Sequence, residues 1–313
     1  WPWALDSLRL GPKGELIAGP ESVHVGETVL GWNTELLEEM GFGTPSEDMA
    51  IPDFVELAAK IQTKMPETGF AVHWGAACST NEPISRSFGG YIISPDRKTC
   101  GFSLPETQDA HKLQYELINT HKAMPGRDQI LKDQKSMFFS GMLAMIVNSP
   151  NNMWTGFEEG TGGKFTLSSC QFPHGGGHKF GSTPNCNAYV IYGKSKVADE
   201  AWSLVRLLTS KDAALWMSLN PPHIGPGAII EAWNDPKVAE TNPIYGGCAK
   251  AWSAIPAEEF GKLPVPANTR RAEFYDLYAN DYAAMLYGDK PWDQANVDKL
   301  QADLQAIMDK PMP

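Results

Sequence analysis

The sequence predicts an α/β chain of about two domains. Short apolar runs of strand length alternate with amphipathic helical stretches, Gly and Pro clusters punctuate them, and 313 residues exceed what one simple core organises.

Residues 14–19 (GELIAG) and 28–32 (TVLGW) read as strands around a Pro-containing turn. Helical signals follow at 34–40 and at 51–63, where Ile51, Phe54, Leu57, Ala58 and Ile61 share one face. Pro52 falls in the first turn, where its missing N–H costs nothing. A strand starts at Phe70, and Gly89-Gly90-Tyr91 opens a turn before Ile92-Ile93. Helices are expected over 107–122 and 129–140. Ser140-Gly141 then breaks to a buried strand at 143–147, which ends in the polar cluster 148–152 (NSPNN). Residues 156–163 and 173–185 read as Gly-rich and irregular, and 188–192 (AYVIY) as a strand. Helices are expected at 196–209 and 211–219, with Trp202 and Trp216 at core-type spacing. Segment 220–268 is Pro-rich and loosely structured; helices at 271–286 and 292–309 close the chain, the last started by Pro291 and Asp293. There are no solenoid-period repeats and no low-complexity tract.

Composition narrows the function classes. Hydrophobic residues at 42% supply packed cores, and a charged fraction of 20% argues against disorder. A net charge of −11, with no basic cluster beyond Arg270-Arg271, excludes the phosphate-neutralising face of a nucleic-acid binder. The same charge opposes docking on an anionic membrane. No run of 18 apolar residues occurs. The first residues, Trp1 to Asp6, lack the basic start and apolar run of a signal peptide; the expectation is that a signal was removed or that the numbering begins partway into the gene product. The five cysteines, Cys78, Cys100, Cys170, Cys186 and Cys248, show no CxxC. Pairing Cys78 with Cys100 and Cys170 with Cys186 would close moderate loops, and buried free thiols are the alternative.

Catalytic and metal signatures fail on inspection. His174-Gly175-Gly176-Gly177-His178 has the form of an oxyanion-hole segment, but no GxSxG nucleophile elbow accompanies it. As zinc ligands beside Cys170 or Cys186, these histidines would sit on a loop without a stiff scaffold. Residues 159–164 (EGTGGK) lack the first Gly of a phosphate loop, and Phe165 stands where Ser or Thr would hold magnesium. No HExxH, GxGxxG or spaced carboxylate pair occurs, so no enzyme, cofactor or metal is expected.

Four passages then come in a telling order: 14–20 (GELIAGP) with 28–36 (TVLGWNTEL), 138–145 (FFSGMLAM) followed by a polar turn, 195–202 (SKVADEAW) and 207–210 (LLTS). Together they resemble family 1 extracellular solute-binding proteins, the group that includes maltose- and other sugar-binding proteins of ABC importers. Each is weak alone, and their order across essentially the whole chain is specific. The departure is at the start: the opening βαβα stretch that precedes the first passage in that family is absent, so any ligand contact it supplies is in doubt.

The resemblance implies a two-lobed, type II periplasmic-binding-protein-like α/β fold with hinge crossings and a helical C-terminus. An incomplete first lobe would hold 1–24 and 187–250, the second lobe 26–184 and 252–313, with crossings near 24–28, 183–187 and 250–254. It further implies an exported monomer that holds a small polar ligand, a sugar or related compound, between its lobes and docks on ABC permease membrane subunits. Sugar hydroxyls need donors and acceptors, and their C–H faces stack on rings. Candidate ligand-binding residues are therefore His24 and Glu27 on the first crossing, and Trp74, Ser79, Thr80 and Asn81 in the loop after a strand. Asn148, Asn151 and Trp154 follow the strand 143–147, Asn185 lies at the second crossing, His223 in a Pro-rich loop, and Arg271 at a helix start. Each has a plainer reading: turn-forming Asn, core Trp, solvent-facing Arg. Arg271 in the cleft would favour an acidic ligand. The rival readings are a carbohydrate-active hydrolase using Glu21 or Glu27, and a metal-binding two-lobed protein with Tyr or His ligands.

Overall fold

The structure, a computed structural model, describes residues 5, 8–9, 15–24, 29–149, 152–153, 156–175, 185–220, 227–241 and 266–312. In chain order its elements are β1 (Gly19–His24), β2 (Val29–Asn33), α1 (Thr34–Glu39), α2 (Ile51–Gln62), β3 (Phe70–His73), α3 (Cys78–Ser87), α4 (Pro105–Asn119), α5 (Gln134–Phe139), β4 (Leu143–Asn148), α6 (Phe157–Thr161), β5 (Leu167–Gln171), β6 (Asn185–Tyr189), α7 (Ala198–Leu208), α8 (Lys211–Leu219), α9 (Ile230–Trp233), α10 (Pro236–Thr241), α11 (Arg271–Leu286) and α12 (Gln294–Met308). The chain divides into two units: Trp1–Val25, Ser149–Gly156 and Pro184–Leu263 form unit 1, and Gly26–Asn148, Phe157–Thr183 and Pro264–Pro313 form unit 2.

Unit 2 is built on a four-stranded sheet of order β3-β4-β2-β5. β4 is one of its two inner strands and is buried, which is why its sequence reads as a continuous apolar run rather than an alternation. β3 runs parallel to β4, while β2 is antiparallel to both β4 and β5. Leu30, Trp32, Val72, Met145, Val147 and Cys170 enter one core with Ile51, Phe54, Ala58 and Ile61 of α2. Leu57, expected on the buried face of α2, is half-buried.

The two C-terminal helices complete that core. Phe274, Tyr278 and Tyr282 recur every fourth residue of α11 and are fully buried. Tyr278 and Tyr282 stack with ring centroids 5.3 Å apart, and His111 packs edge-on to Tyr282 at 4.6 Å. The Asp293 carboxylate caps α12 by accepting from the Asn296 amide at 2.9 Å. From α12, Gln305 accepts from the Cys100 amide at 2.7 Å, and Gln301 accepts from Ser103 at 3.0 Å while donating to the Cys100 carbonyl at 2.7 Å. These bonds tie segments about two hundred residues apart.

One glycine is required by close approach. A Cβ on Gly90 would lie 2.5 Å from Thr107 Oγ1 and 2.7 Å from the Thr107 amide nitrogen. Thr107 there accepts from the Tyr91 amide at 3.0 Å and donates to the Tyr91 carbonyl at 2.9 Å. Gly90→Ala must push this turn off α4, and we expect a loss of about 1–3 kcal/mol in urea unfolding.

In unit 1, β1 pairs antiparallel with β6 in a two-stranded sheet whose register sets His24 opposite Asn185. The Tyr189 hydroxyl donates to Glu21 at 2.7 Å, and the buried Trp233 indole donates to the Gly227 carbonyl at 2.9 Å.

Several expectations are corrected. The first strand begins at Gly19 rather than spanning 14–19, and β6 ends at Tyr189 instead of covering 188–192. α3 and β5 were not expected, and 157–161 within the Gly-rich stretch is a short helix. The helix expected over 129–140 forms only at Gln134–Phe139, after a 3-10 turn at Arg127–Gln129. Trp202 and Trp216, expected in a core, are both exposed. Of the two alternatives for the cysteines, the structure has buried thiols: Cys78, Cys100, Cys170 and Cys186 are buried and form no disulfide, and Cys248 lies outside the described residues. Burial pushes the Cys100, Cys170 and Cys186 thiols up to about 12, far from thiolate chemistry.

Candidate functional site

Parallel strands point their carboxyl ends the same way, and ligands of α/β proteins collect at such an edge. In unit 2 the edge is set by the register of β3 on β4, His73 opposite Ile146, and by Val29 of β2 opposite both Asn148 and Gln171. The carboxyl ends of β3, β4 and β5 therefore line up with the start of β2.

Side-chain amides organise this edge. Gln134, at the first turn of α5, donates to the carbonyls of His73 at 2.5 Å and Val147 at 3.0 Å, and accepts from the Asn148 side chain at 3.0 Å. One glutamine thus holds the two strand ends together and orients Asn148. Beyond β3 the Trp74 carbonyl accepts from Gln114 at 2.9 Å, itself fixed by the Tyr282 hydroxyl at 2.7 Å. The next turn is closed by the Asn81 amide donating to the carbonyls of Gly75 at 3.3 Å and Ala77 at 3.0 Å.

Of the candidates, Ser79, Thr80 and Asn81 lie not in a loop but in the first turn of α3, where Thr80 and Asn81 are buried. Asn81 is spent on closing the turn. Trp74 is a core ring, fully buried, with centroids 6.5 Å from Phe54 and 6.0 Å from Phe172. It offers no open face for stacking, although its indole N–H has no hydrogen-bond partner, nor has His73 Nδ1. Asn148 is half-buried at the end of β4. Arg271 opens α11 exposed, its guanidinium 4.6 Å from the Tyr275 ring centroid. Tyr275 is held well above the ordinary phenol range, by burial first and then by Cys78 nearby, so it stays a neutral hydroxyl. α11 and α3 pack together, which brings Arg271 and Tyr275 toward the start of α3.

Asn148, Ser79, Thr80 and Arg271 all belong to unit 2, and sequence reading missed Gln134, Gln114 and Tyr275. A Gln directly after the helix-capping Asp133 was the available signal for Gln134, since an N-terminal helix turn carries side chains that reach neighbouring strands. In unit 1 the backbones of His24 and Asn185 face each other across β1 and β6. Glu27, Asn151, Trp154 and His223 lie outside the described residues.

His174 Nε2 sits 2.9 Å from Asp48, and its main chain bonds Met49 and Ile51, so it pins a loop to the start of α2. No group of three metal-ligating side chains occurs among the described residues. No helix among them is long and apolar enough to cross a membrane.

Comparison with known proteins agrees with the fold. A maltose-bound protein, MalE3 of T. maritima, is 20% identical with a TM-score of 0.77, over 98% of this chain and 76% of its own. A solute-binding protein of Thermotoga lettingae bound with α-D-tagatose is 18% identical, TM-score 0.78, over 98% and 76%. UgpB of Mycobacterium tuberculosis, in complex with glycerophosphocholine, is 16% identical, TM-score 0.77, over 97% and 74%. These likenesses show the two-lobed, type II periplasmic-binding-protein-like fold. No curated protein matches the sequence. The model of the bacterial extracellular solute-binding proteins matches residues 18–215, well over half of the chain. This chain belongs to the family of bacterial extracellular solute-binding proteins.

Proposed function

We propose that this protein is exported, captures a small hydroxyl-rich solute such as a sugar, polyol or sugar derivative, and delivers it to an ABC permease, without turning it over. We assign the strand-end edge of unit 2 as part of the ligand site. The observation that carries this reading is the amide relay through Gln134, which presents Asn148 at the carboxyl end of β4. An amide offers a donor and an acceptor together, the pairing a sugar hydroxyl needs. Arg271 adds a planar cation, suited to a ligand that also bears a carboxylate or phosphate. The solved neighbours named above hold maltose, tagatose and glycerophosphocholine, which all fit this description.

Thermal unfolding against a panel of sugars, polyols, sugar acids and glycerophosphodiesters tests it. A ligand at a hundred times its Kd stabilises by about 2.7 kcal/mol, a shift of several degrees. One class should shift the midpoint, and Asn148→Ala should abolish the shift while leaving the ligand-free midpoint within about 1 kcal/mol of the parent. Arg271→Ala should weaken binding only if the responding class is anionic. No response from any class, in the parent protein, would sink the proposal.

A further inference from the structure

The sheet of unit 2 has a second edge. Asn33 ends β2, Leu143 starts β4 and Leu167 starts β5, so this edge lies at the other end of the strands from Asn148, roughly 14 Å along β2. A pocket of about 260 Å³ opens there, entirely within unit 2. Leu36 of α1, Phe139 of α5 and Phe165 supply its apolar wall, and Glu35 and Glu39 of α1 and Lys164 supply its charges. The wall is locked by packing. Phe165 is buried and edge-on to Phe138 and Phe157, with ring centroids 5.4 Å and 5.1 Å apart, and Phe157 is edge-on to Phe139 at 5.6 Å. Glu35 accepts from the Thr166 amide at 2.6 Å and the Thr166 hydroxyl at 2.8 Å, which pins α1 to the chain entering β5. Burial works to raise the Glu35 pKa, yet the bonds from Thr166 and its own backbone outweigh it and hold the group below its ordinary value, so it stays ionised. A wall ordered in advance costs a ligand little reorganisation.

The charges remain open to a ligand. Glu39 and Lys164 are exposed and, among the described residues, enter no ion pair although they line one pocket. Each Glu35 oxygen keeps a further lone pair. Two carboxylates and one ammonium in a single apolar-walled hollow complement a molecule that carries both an ammonium and a carboxylate on a hydrocarbon body. A cation alone would meet Lys164 as a like charge, and an anion alone would meet two glutamates. The volume falls below the range of drug-sized ligands, which suits one small molecule rather than an oligosaccharide. We propose that this pocket is a second ligand site, separate from the strand-end edge assigned above, and that it takes a free α-amino acid with an apolar side chain. The ammonium goes to Glu35 and Glu39, the carboxylate to Lys164, and the side chain against Leu36, Phe139 and Phe165.

Amide NMR titration of the intact protein with L-leucine, to roughly 10 mM, tests the proposal. The expected result is a saturable shift at the Leu36, Gly141 and Lys164 amides and none at Ser79 or Asn148. Isoamylamine, which is leucine without its carboxylate, and isocaproate, which is leucine without its ammonium, should each bind at least about tenfold more weakly. Glu39→Gln and Lys164→Gln, both at exposed positions, should each weaken leucine about three- to tenfold and leave the response to the solute panel unchanged. The absence of a saturable shift at the three pocket amides overturns the proposal, as does either analogue binding as tightly as leucine. A leucine response that is lost in Asn148→Ala also overturns it, because the amino acid then occupies the strand-end edge. The solute panel and the leucine titration report on different residues, so this proposal and the proposed function can fail separately.

Discussion

Replacing Glu82 by Ala is expected to cost about 3–5 kcal/mol of stability, among the largest losses available to a single substitution in this chain. The carboxylate is fully buried within α3. Its Oε1 lies 2.7 Å from Nη2 of Arg86 one turn later and accepts from Nε of that residue at 2.8 Å. Its Oε2 accepts from two successive backbone amides, Ile92 at 2.6 Å and Ile93 at 3.0 Å. Truncation would therefore leave one largely buried guanidinium and two buried N–H groups without their acceptor, and each such loss exacts its own desolvation cost. Urea unfolding should show a lower midpoint at unchanged slope. Glu82→Gln keeps the shape and one acceptor oxygen, so it should cost less than Glu82→Ala. Equal stability of the Ala variant and the parent would refute this account of the 82–93 turn.

Acidification is expected to destabilise the fold through two imidazoles. Burial holds His73 and His111 down to about 4, against 6.5 for an exposed ring. His111 is locked as one tautomer: Nδ1 faces the Thr107 carbonyl at 2.6 Å and so carries the proton, and Nε2 accepts from the Tyr278 hydroxyl at 2.5 Å. Between those two values the unfolded chain binds protons that the folded chain refuses, so stability falls as pH falls. It is fully present above 6.5 and declines until the folded rings themselves titrate near 4. By pH 5 each ring should have cost about 2 kcal/mol, about 4 kcal/mol together. Urea midpoints measured from roughly pH 7.5 to pH 5 should trace that decline, and His111→Asn should remove about half of it whatever its cost at neutral pH. A flat profile would show that these rings protonate without leaving the core.

Much of this fold was legible because its signals are local. α2, α8 and α11 follow from apolar spacing, with Pro52 in the first turn of α2 and a Ser210 cap on α8, and β4 from an unbroken apolar run. α3 was not legible, and its composition explains why. Asn81, Pro83 and three serines are poor helix formers, and Pro83 removes an internal hydrogen bond. The helix forms because Cys78, Pro83 and Ile84 are buried, because Glu82 and Arg86 pair across one turn, and because the Ser85 hydroxyl donates back to the Asn81 carbonyl at 2.8 Å. Those are tertiary reasons, invisible to a local window. Trp74, Trp202 and Trp216 fail in the same way: ring identity and spacing do not reveal whether a partner layer exists, and the structure buries the first while leaving the other two exposed. At the proposed site, Asn148 could be singled out because a polar cluster ends an apolar strand. Gln134 was missed because its work is to bridge two strands distant from it in sequence.

The bonds from Gln301 and Gln305 to the Cys100 region have a consequence for biogenesis. The core of unit 2 cannot close over Cys100 until α12, some two hundred residues further along, has been made. Between those two events the apolar surface that the helix will cover stays open to wrong partners.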